Sequence, residues 1–154
     1  MWESLSGIPI QDIDAEIRAL AEGGRRTLHI GSDAKHRGLH TDYVTVIAVL
    51  NPGFGGRVFY RTERTPRSRS LAQQLYREVE LSIQAALALS QGLNLPITVH
   101  VDANEDARHN SSTYVQALAG MVVGYGFPVK VKPNAWCATH VADYVVKEKH
   151  RRAA

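Results

Sequence analysis

Two aspartates stand where apolar, strand-like runs give out: Asp33 after Thr27 to Ile30 in TLHIGSDAK, and Asp102 at the end of LPITVHVD. In open α/β sheets chemistry gathers outside the carboxyl ends of strands, where loops and helix termini meet. If those strands are neighbours, the two carboxylates come within a few ångströms of each other, which is unfavourable unless a cation or a proton lies between them. A divalent ion suits that place, because magnesium prefers oxygen ligands and keeps several waters. Two further acids are positioned to join. Asp143 lies on a C-terminal helical stretch, and Glu78 and Glu80 lie on a long helix. Residues two apart on a helix point about 200° apart, so only one of these glutamates can face the sheet. Both flank the apolar stripe, and periodicity does not choose between them.

The elements that must bring these acids together are legible as changes of period. PIQDIDAEIRALAEGG carries Ile13, Ile17 and Leu20 at helical spacing and stops at Gly23-Gly24. Three strand-like runs follow, RRTLHIGS, TDYVTVIAVLNP and GRVFYRTE, separated by turns at Lys35 to His40 and at NPGFGG. That is an antiparallel meander. From Arg67 to Gln91 the period becomes helical, with Ala72, Leu75, Tyr76, Val79, Ile83 and Ala86 on one stripe. LPITVHVD then reads as a buried strand, NSSTYVQALAGMVVGYG as a helix, FPVKVKP as a strand and CATHVADYVVKEKHRR as a closing helix. Strand alternating with helix predicts parallel pairing. The expectation is an α/β fold in one domain over 1–154, residues 1–24 forming an N-terminal helical extension: a mixed sheet, three antiparallel strands then parallel ones, with helices on both faces.

Composition sets limits on function. With 44% hydrophobic and 21% charged residues the chain has an ordinary globular make-up. No apolar run approaches the roughly 20 residues of a membrane span. The single cysteine, Cys137, cannot form an internal disulfide, and no signal peptide is evident, so a reducing cytoplasm is expected. The formal charge is +3 and thirteen of the eighteen cations are arginine, whose planar fork suits phosphate. Arg61, Arg64, Arg67 and Arg69 crowd into RTERTPRSRS, ahead of the long helix, where they are placed to hold backbone phosphates along a groove; Lys35, Lys130 and Lys132 are candidates to extend it. The sequence carries no signal of an oligomeric interface.

IGSDAK, YVTVIAVLNPGFGGRVFYR, REVELSIQAALAL, HVDANED, AGMVVGYGF, VKVKPNAW and THVADYVV, in that order, resemble the YkuK family of small proteins assigned to the ribonuclease H-like superfamily. The likeness runs from about Thr27 to Val146. In such nucleases a helix glutamate is followed by Leu and small apolar residues, and ELSIQAAL puts that residue at Glu80, with Glu78 in reserve. The resemblance implies a site of Asp33, Glu80, Asp102 and Asp143 around one or two magnesium or manganese ions. Asp33 would bridge both ions, Asp102 and Glu80 would hold one and Asp143 the other. Two such ions activate water and stabilise the leaving oxygen of a phosphodiester. The implied activity is a nuclease on RNA, an RNA–DNA hybrid or a structured nucleic acid, with Lys35, Arg64, Arg67 and Arg69 binding substrate. It implies products with a 5′-phosphate and a 3′-hydroxyl. His140, one helical turn before Asp143, is placed to shuttle protons. A fold hosts many functions, so a nucleic-acid-binding or structural protein on the same scaffold stays open.

Plainer readings apply to single residues. Asp33 alone closes a turn, Asp102 alone starts an Asx-turn, and Asp143 alone is an exposed ion-pair partner. NPGFGG lacks the Lys-Ser/Thr ending of a phosphate loop and is followed by a strand, so it reads as a hairpin turn. No Cys or His pair has the spacing of a closed zinc site, which leaves the histidines as core or surface residues.

Overall fold

Interior strands of a sheet covered on both faces read as unbroken apolar runs, and two segments here do. The structure, a computed structural model, describes residues 1–22, 25–51, 53, 55–142, 144, 145 and 147. In chain order it holds β1 (Trp2–Ser4), β2 (Pro9–Ile10), α1 (Ile13–Ala21), β3 (Thr27–Arg37), β4 (His40–Asn51), β5 (Gly55–Pro66) and α2 (Leu71–Ser90). After these come β6 (Ile97–Asn104), a 3₁₀ turn (Asn110–Tyr114), α3 (Val115–Gly124), β7 (Val129–Lys132) and a closing π-helical segment (Cys137–Ala142).

The strands form one mixed sheet in the order β2-β1-β5-β4-β3-β6-β7. β3, β4 and β5 are the antiparallel meander, and β6 and β7 add in parallel to β3. One face carries Leu28, Ile30, Ile47, Phe59 and Val99, packed under α1, α2 and α3. The other carries Val44, Val46, Ala48 and Tyr60 under Cys137, Ala142 and Val145. Helices on both faces thus cover the central strands.

Local chemistry sets several boundaries. Asp12 caps α1 by accepting from the Ala15 N–H at 3.1 Å, and Ser70 caps α2 by accepting from the Gln73 N–H at 3.1 Å. α2 therefore starts at Leu71, beyond the Arg67 that periodicity suggests, because Pro66 holds the preceding backbone extended and Ser70 supplies the cap. The segment 1–22 also adds two short edge strands that its helical spacing does not reveal.

The turn predicted across Lys35 to His40 is much shorter. β3 and β4 stay paired out to Arg37↔His40, leaving Gly38 and Leu39 as the turn. Gly38 has φ +58°, the left-handed conformation that a two-residue hairpin needs and glycine tolerates. As a result Asp33 lies inside an eleven-residue strand and does not close it.

Candidate metal centre

The parallel pairing of β3 with β6 runs from Leu28↔Ile97 to Gly31↔His100 and stops. Asp33 and Asp102 each lie two residues past that last pair, where the two strands separate. By the alternation of a pleated strand, Asp33 shares the face of its cross-strand partner Val44, the face under the closing segment. Glu78 reaches them from α2, on the opposite face. One side-chain oxygen from each of Asp33, Glu78 and Asp102 lies within 4.8 Å of the others.

Burial is deep. Asp33 is 8% exposed and Glu78 3%. Asp102 is also bonded to Lys132, whose Nζ donates to its Oδ1 at 2.8 Å. Gln74 Nε2 donates to Glu78 Oε1 over 3.5 Å, whereas Glu78 Oε2 is buried with no hydrogen-bond partner among the described residues. Burial first, and then the Asp33 and Asp102 carboxylates, push the Glu78 pKa well above the usual carboxylate range. An orphaned, buried carboxylate oxygen facing two further carboxylates fits a divalent cation, and an all-oxygen donor set suits magnesium or manganese.

Glu80, the residue that the resemblance puts in the site, is not in this cluster. Its side chain is 53% exposed and accepts from Arg77 Nη1 at 2.8 Å. The helical period separates it from Glu78, so the carboxylate on the sheet side of α2 is Glu78. Burial along α2 shows the same division. Gln73, Tyr76, Glu80 and Gln84 recur at helical spacing and form the exposed face, while Glu78 has Leu75, Leu81 and Ser82 as its neighbours one turn away. Asp143 lies outside the described residues, and His140 is exposed on the segment before it.

The expected substrate cations are divided between two places. Lys35 faces Asp42 across the strands, and Asp42 faces Arg64. The Asp42 carboxylate accepts from Arg64 Nε at 2.6 Å and from Arg37 Nε at 3.1 Å. Alternation puts this row on the face of Asp33. Arg67 and Arg69 instead line a groove of about 720 Å³ at the start of α2, together with Tyr43, Ser68 and Tyr76. A single groove holding all four is therefore replaced by two basic surfaces, because Lys35 and Arg64 are fixed by the pleat whereas Arg67 and Arg69 follow its end.

A second buried polar group lies on the same strands. Cys137 N–H donates to His100 Nδ1 at 3.3 Å, which leaves the proton of that ring on Nε2, 2.9 Å from His29 Nδ1. His29 Nε2 is then the donor to Thr27 Oγ1 at 3.1 Å. Trp136 packs 4.8 Å from both rings, centroid to centroid. Burial lowers both histidine pKa values, that of His100 to about 3. The Cys137 thiol is buried and its pKa raised, so it is no nucleophile.

A family model described as Ribonuclease H-like matches residues 10–147. Among solved structures, ribonuclease H1 from the halophilic archaeon Halobacterium salinarum is similar over 79% of this chain and 98% of its own, at 16% identity and a TM-score of 0.45. The N-terminal RNase H domain of Rv2228c from Mycobacterium tuberculosis, fused to maltose-binding protein, is similar over 83% of this chain and 99% of its own, at 13% identity and a TM-score of 0.41. No curated protein matches the chain. Among the described residues no helix is long and apolar enough to cross a membrane.

Proposed function

The chain belongs to the Ribonuclease H-like family, and we propose that it is a metal-dependent nuclease, of the YkuK branch, hydrolysing phosphodiester bonds in RNA, an RNA–DNA hybrid or a structured nucleic acid. One observation carries this reading: Asp33, Glu78 and Asp102 converge within 4.8 Å, and Glu78 Oε2 is buried with no partner among the described residues. Like charges so placed are tolerated with a cation or a proton between them.

In this reading Asp33, Glu78 and Asp102 hold magnesium or manganese, with Asp143 as a fourth donor. The ion, when bound, acidifies water and stabilises charge on the leaving oxygen. The chain's own residues do the remaining work. The buried Asp33 and Glu78 and the partly buried Asp102 fix the site's charge, and Asp102 is bonded to Lys132. Lys35 and Arg64 beyond Asp33, and Arg67 and Arg69 along the groove, hold backbone phosphates by charge and by guanidinium geometry.

The test is cleavage of end-labelled RNA and RNA–DNA hybrid with manganese, comparing the native chain with Asp102→Asn. The expected result is loss of cleavage with nucleic-acid affinity retained. Calorimetry showing no manganese binding at millimolar concentration, together with no cleavage, would overturn the proposal.

A second reading is a nucleic-acid-binding module without turnover. It is favoured by the Lys132 ammonium, which already supplies one cation to Asp102 at 2.8 Å. Manganese binding without cleavage of any substrate tested would select it.

A further inference from the structure

The most exposed large apolar side chain among the described residues is Leu39, 83% accessible, at the tip of the β3–β4 hairpin. Turn positions favour Gly, Asn, Asp and Ser, and nothing in the core requires leucine there. The turn is nevertheless braced. Arg67 N–H donates to the Leu39 carbonyl at 2.8 Å, and Arg67 Nη1 donates to the Gly38 carbonyl at 3.1 Å. Leucine is thus held outward on a firm tip.

The surroundings are cationic. Residues 34–42 and 64–69 carry Lys35, Arg37, Arg64, Arg67 and Arg69 against a single carboxylate, Asp42, which is itself bonded to Arg37 and Arg64. Among the described residues neither Arg67 nor Arg69 has a carboxylate within ion-pair distance. Arg67 both braces the tip and lines the groove at the start of α2. The projecting apolar side chain thus lies at a turn flanked by cations of both basic surfaces, Arg37 on the strand before it and Arg67 bonded to it. Leu39 lies in the turn just past the end of β3, which runs four residues on from Asp33, about 14 Å at the rise of a strand.

We infer that Leu39 is a wedge that enters the base stack of a nucleic acid at a fork, where a duplex opens into single strands, while the arginines around it hold the flanking phosphates. Apolar side chains inserted at a base step unstack it, at a cost smallest where pairing has already ended. The charge around Leu39 selects a polyanion, and the single apolar residue selects one with an accessible base face. The inference rests on the nucleic-acid reading above and sharpens it: the substrate class becomes a forked or junction-bearing duplex.

The test uses the Asp102→Asn chain, so that nothing is cut, with a forked RNA–DNA hybrid carrying 2-aminopurine at the fork and a continuous hybrid closed by loops. Anisotropy at fixed salt gives both affinities. The expected result is a preference for the fork of about tenfold, the order expected from one inserted apolar side chain, with a rise in 2-aminopurine fluorescence on binding. Leu39→Ser should abolish both while leaving affinity for the continuous hybrid within about twofold, since the phosphate contacts remain. Leu39→Met should keep them. Melting curves of both variants check the fold, and little change is expected for so exposed a position.

A fork preference and fluorescence signal unchanged in Leu39→Ser would overturn the wedge alone. Leu39-dependent binding to vesicles of anionic phospholipid, without fork preference, would overturn it in favour of a membrane surface. No binding to either hybrid would sink the nucleic-acid reading and the wedge with it. Fork preference together with no cleavage of the fork by the native chain in manganese would keep the wedge and discard the nuclease.

Discussion

β3 and β6 each carry two kinds of polar side chain wholly or partly shielded from solvent, and the two kinds differ in how their hydrogen-bonding capacity is met. His29 and His100 form a closed series with Thr27 and the Cys137 backbone, in which each ring nitrogen has a partner. Past the end of the parallel pairing, Asp33, Asp102 and Glu78 place three carboxylates together, with one oxygen of Glu78 orphaned among the described residues. A satisfied buried network rigidifies the structure around it, whereas an unsatisfied group costs its full desolvation. The histidine pair therefore joins β3, β6 and the closing segment as a structural unit. The carboxylates store an unfavourable term that a cation or a proton between them would relieve, which is what the proposed function draws on.

This contrast breaks most decisively at α2. Glu78→Gln should reduce metal-dependent cleavage more than about a hundredfold, because an ion's charge stabilisation amounts to several kcal/mol. Glu80→Gln, on the exposed face, should change it less than about threefold, comparable to losing a surface ion pair. Steady-state cleavage rates at saturating manganese compare the two. Equal losses would undo the assignment of Glu78.

Stability should separate the clusters next. His29→Ala leaves His100 Nε2 buried without its partner and should cost about 1–3 kcal/mol in urea unfolding, with or without metal. In chelator, Glu78→Gln should act oppositely and stabilise by about 1–2 kcal/mol, since the amide can donate to either aspartate and carries no charge at any pH. The native chain should gain stability on adding manganese by mass action, and Glu78→Gln should lose most of that gain. Melting temperatures with and without manganese measure it.

The smallest effects are in pH, and the two clusters have opposite signs. His29 and His100 have folded pKa values below the ordinary 6.5, that of His100 at about 3. Below 6.5 the unfolded chain takes up protons that the folded chain refuses, so their contribution is full above 6.5 and is lost as pH falls towards 3. Glu78 has a folded pKa well above 4.5. The folded, metal-free chain holds that proton more tightly than the unfolded one, so its contribution is full below 4.5 and declines as pH rises through the folded pKa. Urea titrations in chelator should show a His29→Ala chain with a shallower loss of stability as pH falls below 6.5 and a Glu78→Gln chain with a shallower loss as pH rises above 4.5. Identical losses would remove the distinction.

Much of the fold is legible in local pattern. The meander, the long helix and the strand-helix-strand half follow from period-two and period-3.6 spacing, since those spacings are what one buried face demands. The lengths of the hairpin strands were not legible, because Lys35, His36 and Arg37 are polar and look like turn residues. Pairing with β4 and the Arg67 brace keep them extended. The two short edge strands of the first ten residues were hidden for a related reason: edge strands need little hydrophobic signal, and β5, the strand that attaches β1 to the sheet, lies far along the chain, Glu3 pairing with Tyr60.

Among the candidate acids, chain order singled out Asp33 and Asp102, because both follow apolar runs that read as buried strands, although each lies within its strand and does not end it. The chain's basic charge and its arginine-rich segment, Arg61 to Arg69, were likewise legible in the sequence. Which glutamate faces the sheet was decided by how α2 lies on it, since side chains two positions apart differ mainly in rotation about the helix axis. The distribution of Lys35, Arg64, Arg67 and Arg69 over two surfaces was decided by the pleat and by where β5 ends. The pairing of His29 with His100, seventy-one residues apart, exists only because β3 and β6 are neighbours. Spacing along the chain determines which groups are available, and only packing between elements brings charges from distant segments within coordination distance of one another.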